Sequence, residues 1–299
     1  MTLSDMYRFL ALTGLGLTLV AGCGGSGSGT ATPTASVTEP APETGFEPTT
    51  PAPSTPAPLG PYTPSAKPVA VVPPSPQASI GASCVEPADA ARRVMIPVGD
   101  GAKITGAVLG RGRAGVVLVH QSNGDLCQWW PYARILAESG YLVLSIDLEG
   151  RGSAGYAQYD GVQPSPFGLD VAAAAGYLRA QGAAKVVLVG ASMGGTSVLA
   201  GAAVTRPVVQ GVISLSAPAN YSEIDARTAV RRLTMPVLYA ASAEDAEFAA
   251  DAKTLHAATK SPKSLIVVPG SLHGVSLVQD GGVPAVQRAV TAFLAKYAK

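Results

Sequence analysis

From about Cys84 onward the chain switches between short apolar runs and longer stretches with helical spacing. Arg93–Pro97 and Lys103–Leu109 alternate apolar and polar positions and are parted by Gly99-Asp100-Gly101, a hairpin signal. Six nearly continuous apolar runs follow: Val116–Val119, Tyr141–Ile146, Lys185–Val189, Gly211–Leu215, Pro236–Ala240 and Leu265–Val268. Strands buried on both faces have this pattern. Helical spacing occupies Pro131–Ser139, Leu169–Ala180, Thr196–Val204, Ala246–Ala258 and Pro284–Tyr297, with Gly140 and Gly182 placed where helices stop. An antiparallel hairpin followed by strand–helix alternation predicts an α/β fold, a doubly wound, mostly parallel sheet of about eight strands with helices on both faces. Folds of this kind carry their chemistry at the C-terminal ends of the strands.

The N-terminal pattern is different. An apolar stretch, Phe9–Val20, is shorter than the ~20 residues a spanning helix needs and suits the core of a signal peptide. It ends in Val20-Ala21-Gly22-Cys23-Gly24, which resembles the bacterial lipobox, so Cys23 is the expected lipidation site. Between Gly24 and Ser83 there is little but Ala, Thr, Ser, Pro and Gly, and 14 of the 25 prolines fall between Pro33 and Pro76. Such a segment buries too little apolar surface to offset the entropy of ordering it. The expected organisation is a signal peptide at 1–22, a lipidated Cys23 with a disordered tether to residue 83, and a folded domain at 84–299. This places the domain outside the cytoplasm, anchored to the bacterial cell membrane.

Composition narrows the partners. The 299 residues are 47% apolar and 14% charged, with a formal net charge of +1. That balance excludes a nucleic-acid binder that works by neutralising phosphates. From Cys84 onward 19 Lys and Arg face 16 Asp and Glu, ordinary surface charge that names no partner. In an oxidising compartment Cys84 and Cys127 form a candidate disulfide. Two cysteines 43 residues apart lack the paired ligand spacing of a zinc site, and no metal or organic cofactor is expected.

The sharpest chemical signal is Gly190-Ala191-Ser192-Met193-Gly194-Gly195, directly after a strand and before a helix. This is a G-x-S-x-G nucleophile elbow, in which small neighbours permit the strained turn that presents Ser192. The Met193 N–H at the helix start can face a developing oxyanion. A serine hydroxyl needs a base, and the chain has three histidines: His120, His256 and His273. His256 lies within a helix, whereas His273 follows the last strand and can reach the elbow. Asp245 follows the strand Pro236–Ala240 and is the expected orienting acid, with Glu244 as reserve and helix capping as its competing role. Asp147, in the turn Asp147–Ser153, is expected to be structural.

Residues Arg93 to Lys299 resemble the α/β-hydrolase superfamily, in a compact layout similar to the dienelactone hydrolases. The resemblance rests on Val119-His120-Gln121-Ser122, the turn Asp147–Ser153, the elbow at Ser192, Asp245, and His273-Gly274. It implies Ser192 as nucleophile, His273 as base then acid, and Asp245 as its partner. Met193 N–H and Ser122 N–H would form the oxyanion hole by position. Many members have His-Gly where this chain has His120-Gln121, which leaves Gln121 open as the second donor.

About 20 residues join the strand Gly211–Leu215 to Pro236, too few for a large cap domain. An open cleft follows, with Trp129, Trp130, Tyr156, Tyr159 and Tyr221 as candidate walls; for the Trp pair the competing arrangement is one ring packed under the first helix and one half-exposed. The expectation is a monomeric, membrane-anchored serine hydrolase acting on a small-molecule or acyl-ester substrate, first of all a carboxylesterase. An acyltransferase or peptidase with the same triad, and a non-catalytic tethered binding protein, are the alternatives.

Overall fold

The computed structural model describes residues 83–152 and 167–299. The strands are β1 (Arg92–Pro97), β2 (Lys103–Gly110), β3 (Ala114–Val119), β4 (Leu142–Asp147), β5 (Lys185–Ala191), β6 (Gly211–Leu215), β7 (Asn220–Tyr221), β8 (Ile224–Asp225), β9 (Val237–Ser242) and β10 (Lys263–Val268). The helices are α1 (Trp130–Glu138), α2 (Gly168–Ala180), α3 (Met193–Val204), α4 (Ala226–Val230), α5 (Ala246–Ala258) and α6 (Pro284–Tyr297). Eight strands form one sheet in the order β1-β2-β4-β3-β5-β6-β9-β10. β2 pairs antiparallel with β1 and β4, and the remaining pairs are parallel.

Burial follows the sequence pattern. Every residue of β3, β4, β6 and β9 is buried, while the edge strands β1 and β10 keep exposed positions. Because side chains alternate across a strand, one apolar run feeds two cores. Val117, Val119, Leu144 and Leu188 pack with residues of α2 and α3 on one face. Val116, Leu118, Val143 and Val187 pack with Trp129, Leu136, Val290 and Leu294 on the other. α3 is buried almost all round and is built of small residues; a side chain at Gly201 would meet Val171 of α2 at 2.6 Å. That close crossing holds the elbow helix tight against the sheet.

Most boundaries fall within two residues of those expected. α3 is the exception, since it begins at Met193 and not at Thr196. Its first turn is glycine-rich, which hides the helical period, yet contact with the sheet makes it helical. The connection after β6 holds the β7–β8 ribbon and the five-residue α4, too short and too polar to signal in the sequence. The sheet also extends two residues further, to Ala191 and Ser242, at the ends of β5 and β9. Those extra residues are at the chemical end of the sheet.

The disulfide forms between Cys84 and Cys127, with Cα atoms 5.6 Å apart. It joins the start of the domain to the short 3-10 turn Leu126–Trp129 after β3. The signal peptide, Cys23, the tether, Tyr156 and Tyr159 lie outside the described residues. Among the described residues no helix is long and apolar enough to cross a membrane.

Candidate active site

Ser192 sits at the junction of β5 and α3 with φ 51° and ψ −123°. A non-glycine residue held there stores strain, which the surroundings must impose. They do so through two contacts. Ser192 N–H donates to the Leu215 carbonyl at 2.8 Å, pinning the turn to β6. Gly190 and Gly194 pass so close that a Cβ on Gly190 would lie 2.1 Å from the Gly194 oxygen. One on Gly194 would lie 2.3 Å from the Val119 oxygen and 2.5 Å from that of His120. The elbow is therefore wedged against the end of β3, beside the loop carrying Gln121 and Ser122.

His273 Nδ1 is 2.7 Å from Asp245 Oδ2. Asp245 occupies the N-cap position of α5 but makes no side-chain cap hydrogen bond, so its carboxylate is given to the imidazole. Glu244 is exposed, and its backbone N–H donates to the Gly270 carbonyl at 3.0 Å. The loop after β10 is fastened to that after β9 by this bond and by Ser242 Oγ, which donates to the Leu272 carbonyl at 2.7 Å. On its other side the Gly274 N–H donates to Ser216 Oγ at 3.0 Å. Ser216 follows β6 and itself has a positive φ of 45°. Phe248, one turn into α5, packs its ring against His273 with centroids 4.3 Å apart.

The other two histidines do different work. His120 is wholly buried, and its Nε2 accepts from the Leu148 N–H at 3.2 Å. Its Nδ1 therefore carries the proton and donates to the Gln121 carbonyl at 2.6 Å. Burial holds this imidazole below its ordinary pKa, in its neutral form. His120 is thus a strut between the loop after β3 and the turn after β4. His256 is half-buried on α5, edge-on to Tyr239. Asp147 is buried and accepts from Thr105 Oγ1 at 3.0 Å and from the Leu126 N–H at 2.6 Å, which makes it a structural anchor of its turn.

The loop after β3 distinguishes the two candidate oxyanion donors. Gln121 N–H donates to Gln128 Oε1 at 2.9 Å and is taken. Ser122 is exposed, and its N–H has no partner among the described residues. Met193 is the first residue of α3, where backbone N–H groups lack intrahelical acceptors.

The Trp pair requires a correction. Both rings are in the core and neither walls a cleft: Trp129 is 0% and Trp130 2% exposed. Trp129 Nε1 donates to the Val119 carbonyl at 2.8 Å, and Trp130 Nε1 to Asp89 Oδ2 at 2.9 Å. Each indole N–H has an acceptor, the buried Val119 carbonyl or the half-buried Asp89 carboxylate, so burial costs no unpaired N–H. Tyr221 is half-buried against the core on the α3 face. Four contributors were missed in the sequence: Ser216, Ser242, Gln128 and Phe248. Ser242 ends β9 and Ser216 directly follows β6 at the same C-terminal edge, a signal the fold rule offers for any small polar residue there. A groove of about 360 Å³ between α6 and the starts of β9 and β10 lies at the opposite end of the strands from Ser192.

Sheet order, elbow and the position of the acid–histidine pair together define the α/β-hydrolase fold. Comparisons with known proteins agree. The model of a family described as serine aminopeptidase, S33, matches residues 110–242, which include Ser192 and end before Asp245. No curated protein matches the sequence. The fold is similar to the esterase Pf2001 of Pyrococcus furiosus, at 18% identity and a TM-score of 0.59 over 70% of this chain and 93% of that one. It is also similar to a dienelactone hydrolase from Anabaena variabilis, at 22% identity and a TM-score of 0.58, covering 70% and 98% of the two chains. The esterase domain of a Rhodothermus marinus protein matches at 21% identity and a TM-score of 0.55, over 70% and 100%.

Proposed function

We propose that this chain is a serine hydrolase, and specifically a carboxylesterase acting through Ser192, His273 and Asp245. The observation that carries the proposal is the 2.7 Å bond between His273 Nδ1 and Asp245 Oδ2, on loops fastened beside a strained serine elbow. Asp245 holds the imidazole with Nδ1 protonated, leaving Nε2 free to take the Ser192 proton as Oγ attacks an ester carbonyl. Negative charge then gathers on the carbonyl oxygen, where Met193 N–H and Ser122 N–H can receive it. His273 returns the proton to the departing alcohol, and water repeats the sequence on the acyl-enzyme.

The full chain should be treated with a fluorophosphonate probe and with short-chain nitrophenyl esters, beside Ser192→Ala. Labelling and turnover in the parent and their loss in the variant are expected; persistence in the variant would disprove the assignment. The matched S33 family favours a second reading, a peptidase with the same triad. Faster cleavage of aminoacyl nitroanilides than of nitrophenyl esters would select it.

The same proposal includes the chain's placement: a signal peptide to residue 22, a lipid on Cys23, a tether to residue 83 and a hydrolase domain outside the cytoplasm. Support comes from the Val20-Ala21-Gly22-Cys23 string and from a disulfide that suits an oxidising compartment. Cys23→Ser should release the protein from membranes, and a variant that stays membrane-bound would count against the anchor.

A further inference from the structure

We propose that Gln121 is a positioning residue that fixes the oxyanion loop against the loop carrying His273. The inference rests on the triad described above and adds a residue to it. Three of its polar groups are engaged. Its N–H donates to Gln128 Oε1 at 2.9 Å, its carbonyl accepts from His120 Nδ1 at 2.6 Å, and its side-chain Oε1 accepts from the Val275 N–H at 2.8 Å. The last bond spans 154 residues of sequence and lands two residues past His273. Close approach is possible because Gly274, at φ 57°, has no side chain; a Cβ there would fall 1.9 Å from Gln121 Oε1.

The His273 loop is gripped by three side chains. Ser242 holds the Leu272 carbonyl, Ser216 the Gly274 N–H, and Gln121 the Val275 N–H. The two serines stand at ends of sheet strands and set the loop's height over the sheet. Gln121 belongs to the loop that carries Ser122, so its bond sets a different quantity, the spacing between base and oxyanion donor. Gln128 reinforces it. Its amide oxygen and nitrogen bond Gln121 and Asn123, one on each side of Ser122, and its backbone carbonyl accepts from the Gln279 side chain. The segments 121–128 and 275–279 are thus linked twice.

Chemistry explains why that spacing matters. In the tetrahedral intermediate the leaving oxygen and the oxyanion share one carbon, so the group protonating the first and the donors holding the second must keep a fixed separation. A shift of about 1 Å can cost on the order of 100-fold in rate. A residue that sets this spacing acts on the transition state more than on the ground state, and its loss should appear in kcat and not in KM.

The test uses the full chain with Gln121→Met, which keeps length without an acceptor, and Gln121→Glu, which keeps the acceptor. With a nitrophenyl ester, Gln121→Met should lose roughly 10- to 100-fold in kcat with KM within about 2-fold, and Gln121→Glu should recover most of it. Hydrogen exchange at the Val275 amide should speed up by roughly 10-fold in the Met variant and stay near parental in the Glu variant. Parental kcat in Gln121→Met, a loss confined to KM, or a Glu variant as impaired as the Met one would each overturn the proposal. A parent that neither labels nor turns over would instead overturn the triad beneath it. The two failures are told apart because exchange at Val275 needs no turnover.

Discussion

Phe248 stacks edge-on against the imidazole of His273, with ring centroids 4.3 Å apart and planes at 63°. It stands three residues after Asp245, so the start of α5 supplies both the carboxylate that bonds His273 and the ring that packs against it. Phe248→Ala frees the imidazole to leave its productive orientation. Ester turnover is expected to fall by roughly 10-fold with little change in KM, and Phe248→Leu to keep most of the rate. Steady-state kinetics on both variants checks this; equal rates in parent and Ala variant would remove Phe248 from the positioning of His273.

Two glycine substitutions should behave oppositely. Gly194→Ala places a methyl 2.3 Å from the Val119 oxygen and 2.5 Å from that of His120, both backbone atoms that cannot swing aside. A loss of about 3 kcal/mol or more is expected by denaturant titration. Gly176 lies exposed on α2, where a Cβ would meet nothing within 4 Å, and Gly176→Ala should be neutral or stabilise by up to about 1 kcal/mol. Equal effects at the two sites would contradict the close approach at the elbow.

Stability should fall as pH rises from about 4 to about 7, for a local reason. Asp170 is buried at the start of α2, where loss of solvent raises its pKa to about 7. Burial raises Glu149 beside it as well, and the Glu149 N–H donates to Asp170 Oδ2 at 2.8 Å. The folded state therefore keeps a proton that the unfolded chain, with an ordinary carboxyl near 3.8, releases. The cost is absent below about pH 4, grows as pH rises, and is complete above about pH 7. Asp170→Asn keeps an acceptor and cannot ionise. At pH 8 it should be the more stable protein, by about 1.4 kcal/mol for every pH unit separating the folded and unfolded pKa of the carboxyl it replaces. At pH 4 the two should match. Denaturant titrations at both values decide, and a variant weaker than the parent at pH 8 would refute the account.

Removing the disulfide should lower stability without changing the fold. The bridge closes a loop of 43 residues, which the chain-entropy model values at about 4 kcal/mol. Replacing Cys84 and Cys127 together by Ala, or reducing the parent, is expected to lower the denaturant midpoint by equal amounts. A double variant as stable as the oxidised parent would show that the loop is already constrained by other contacts.

The central strands could be read in the sequence because β3 to β6 and β9 are buried on both faces almost throughout, so their apolar runs are broken by little beyond a small serine such as Ser145 or Ser214. The elbow was legible for a related reason: the close passage of Gly190 and Gly194 leaves no room for other residues, and constraint that severe prints itself as a motif. Asp245 was less plain, since an Asp before a helix is equally a cap, and only the position of His273 shows where the carboxylate goes. Neither reading of the Trp pair, as a cleft wall or as one packed and one half-exposed ring, put both rings in the core. Their burial depends on Val119 and Asp89 offering acceptors, which no local pattern reveals. Gln121 and Ser216 act through bonds to Val275 and Gly274, far along the chain, and such pairings exist only once the strand order has brought the ends together.

The disulfide also changes how the domain bears a pull. β1 is an edge strand bonded to β2 alone, and without the bridge tension applied at residue 83 would peel it from the sheet one hydrogen bond at a time. With Cys84 bonded to Cys127, part of that load passes by a covalent route to the turn at Leu126–Trp129, which Trp129 ties to the fully buried strand β3. Part of a pull at the N-terminal side is thus borne beyond the β1 edge, at the centre of the sheet.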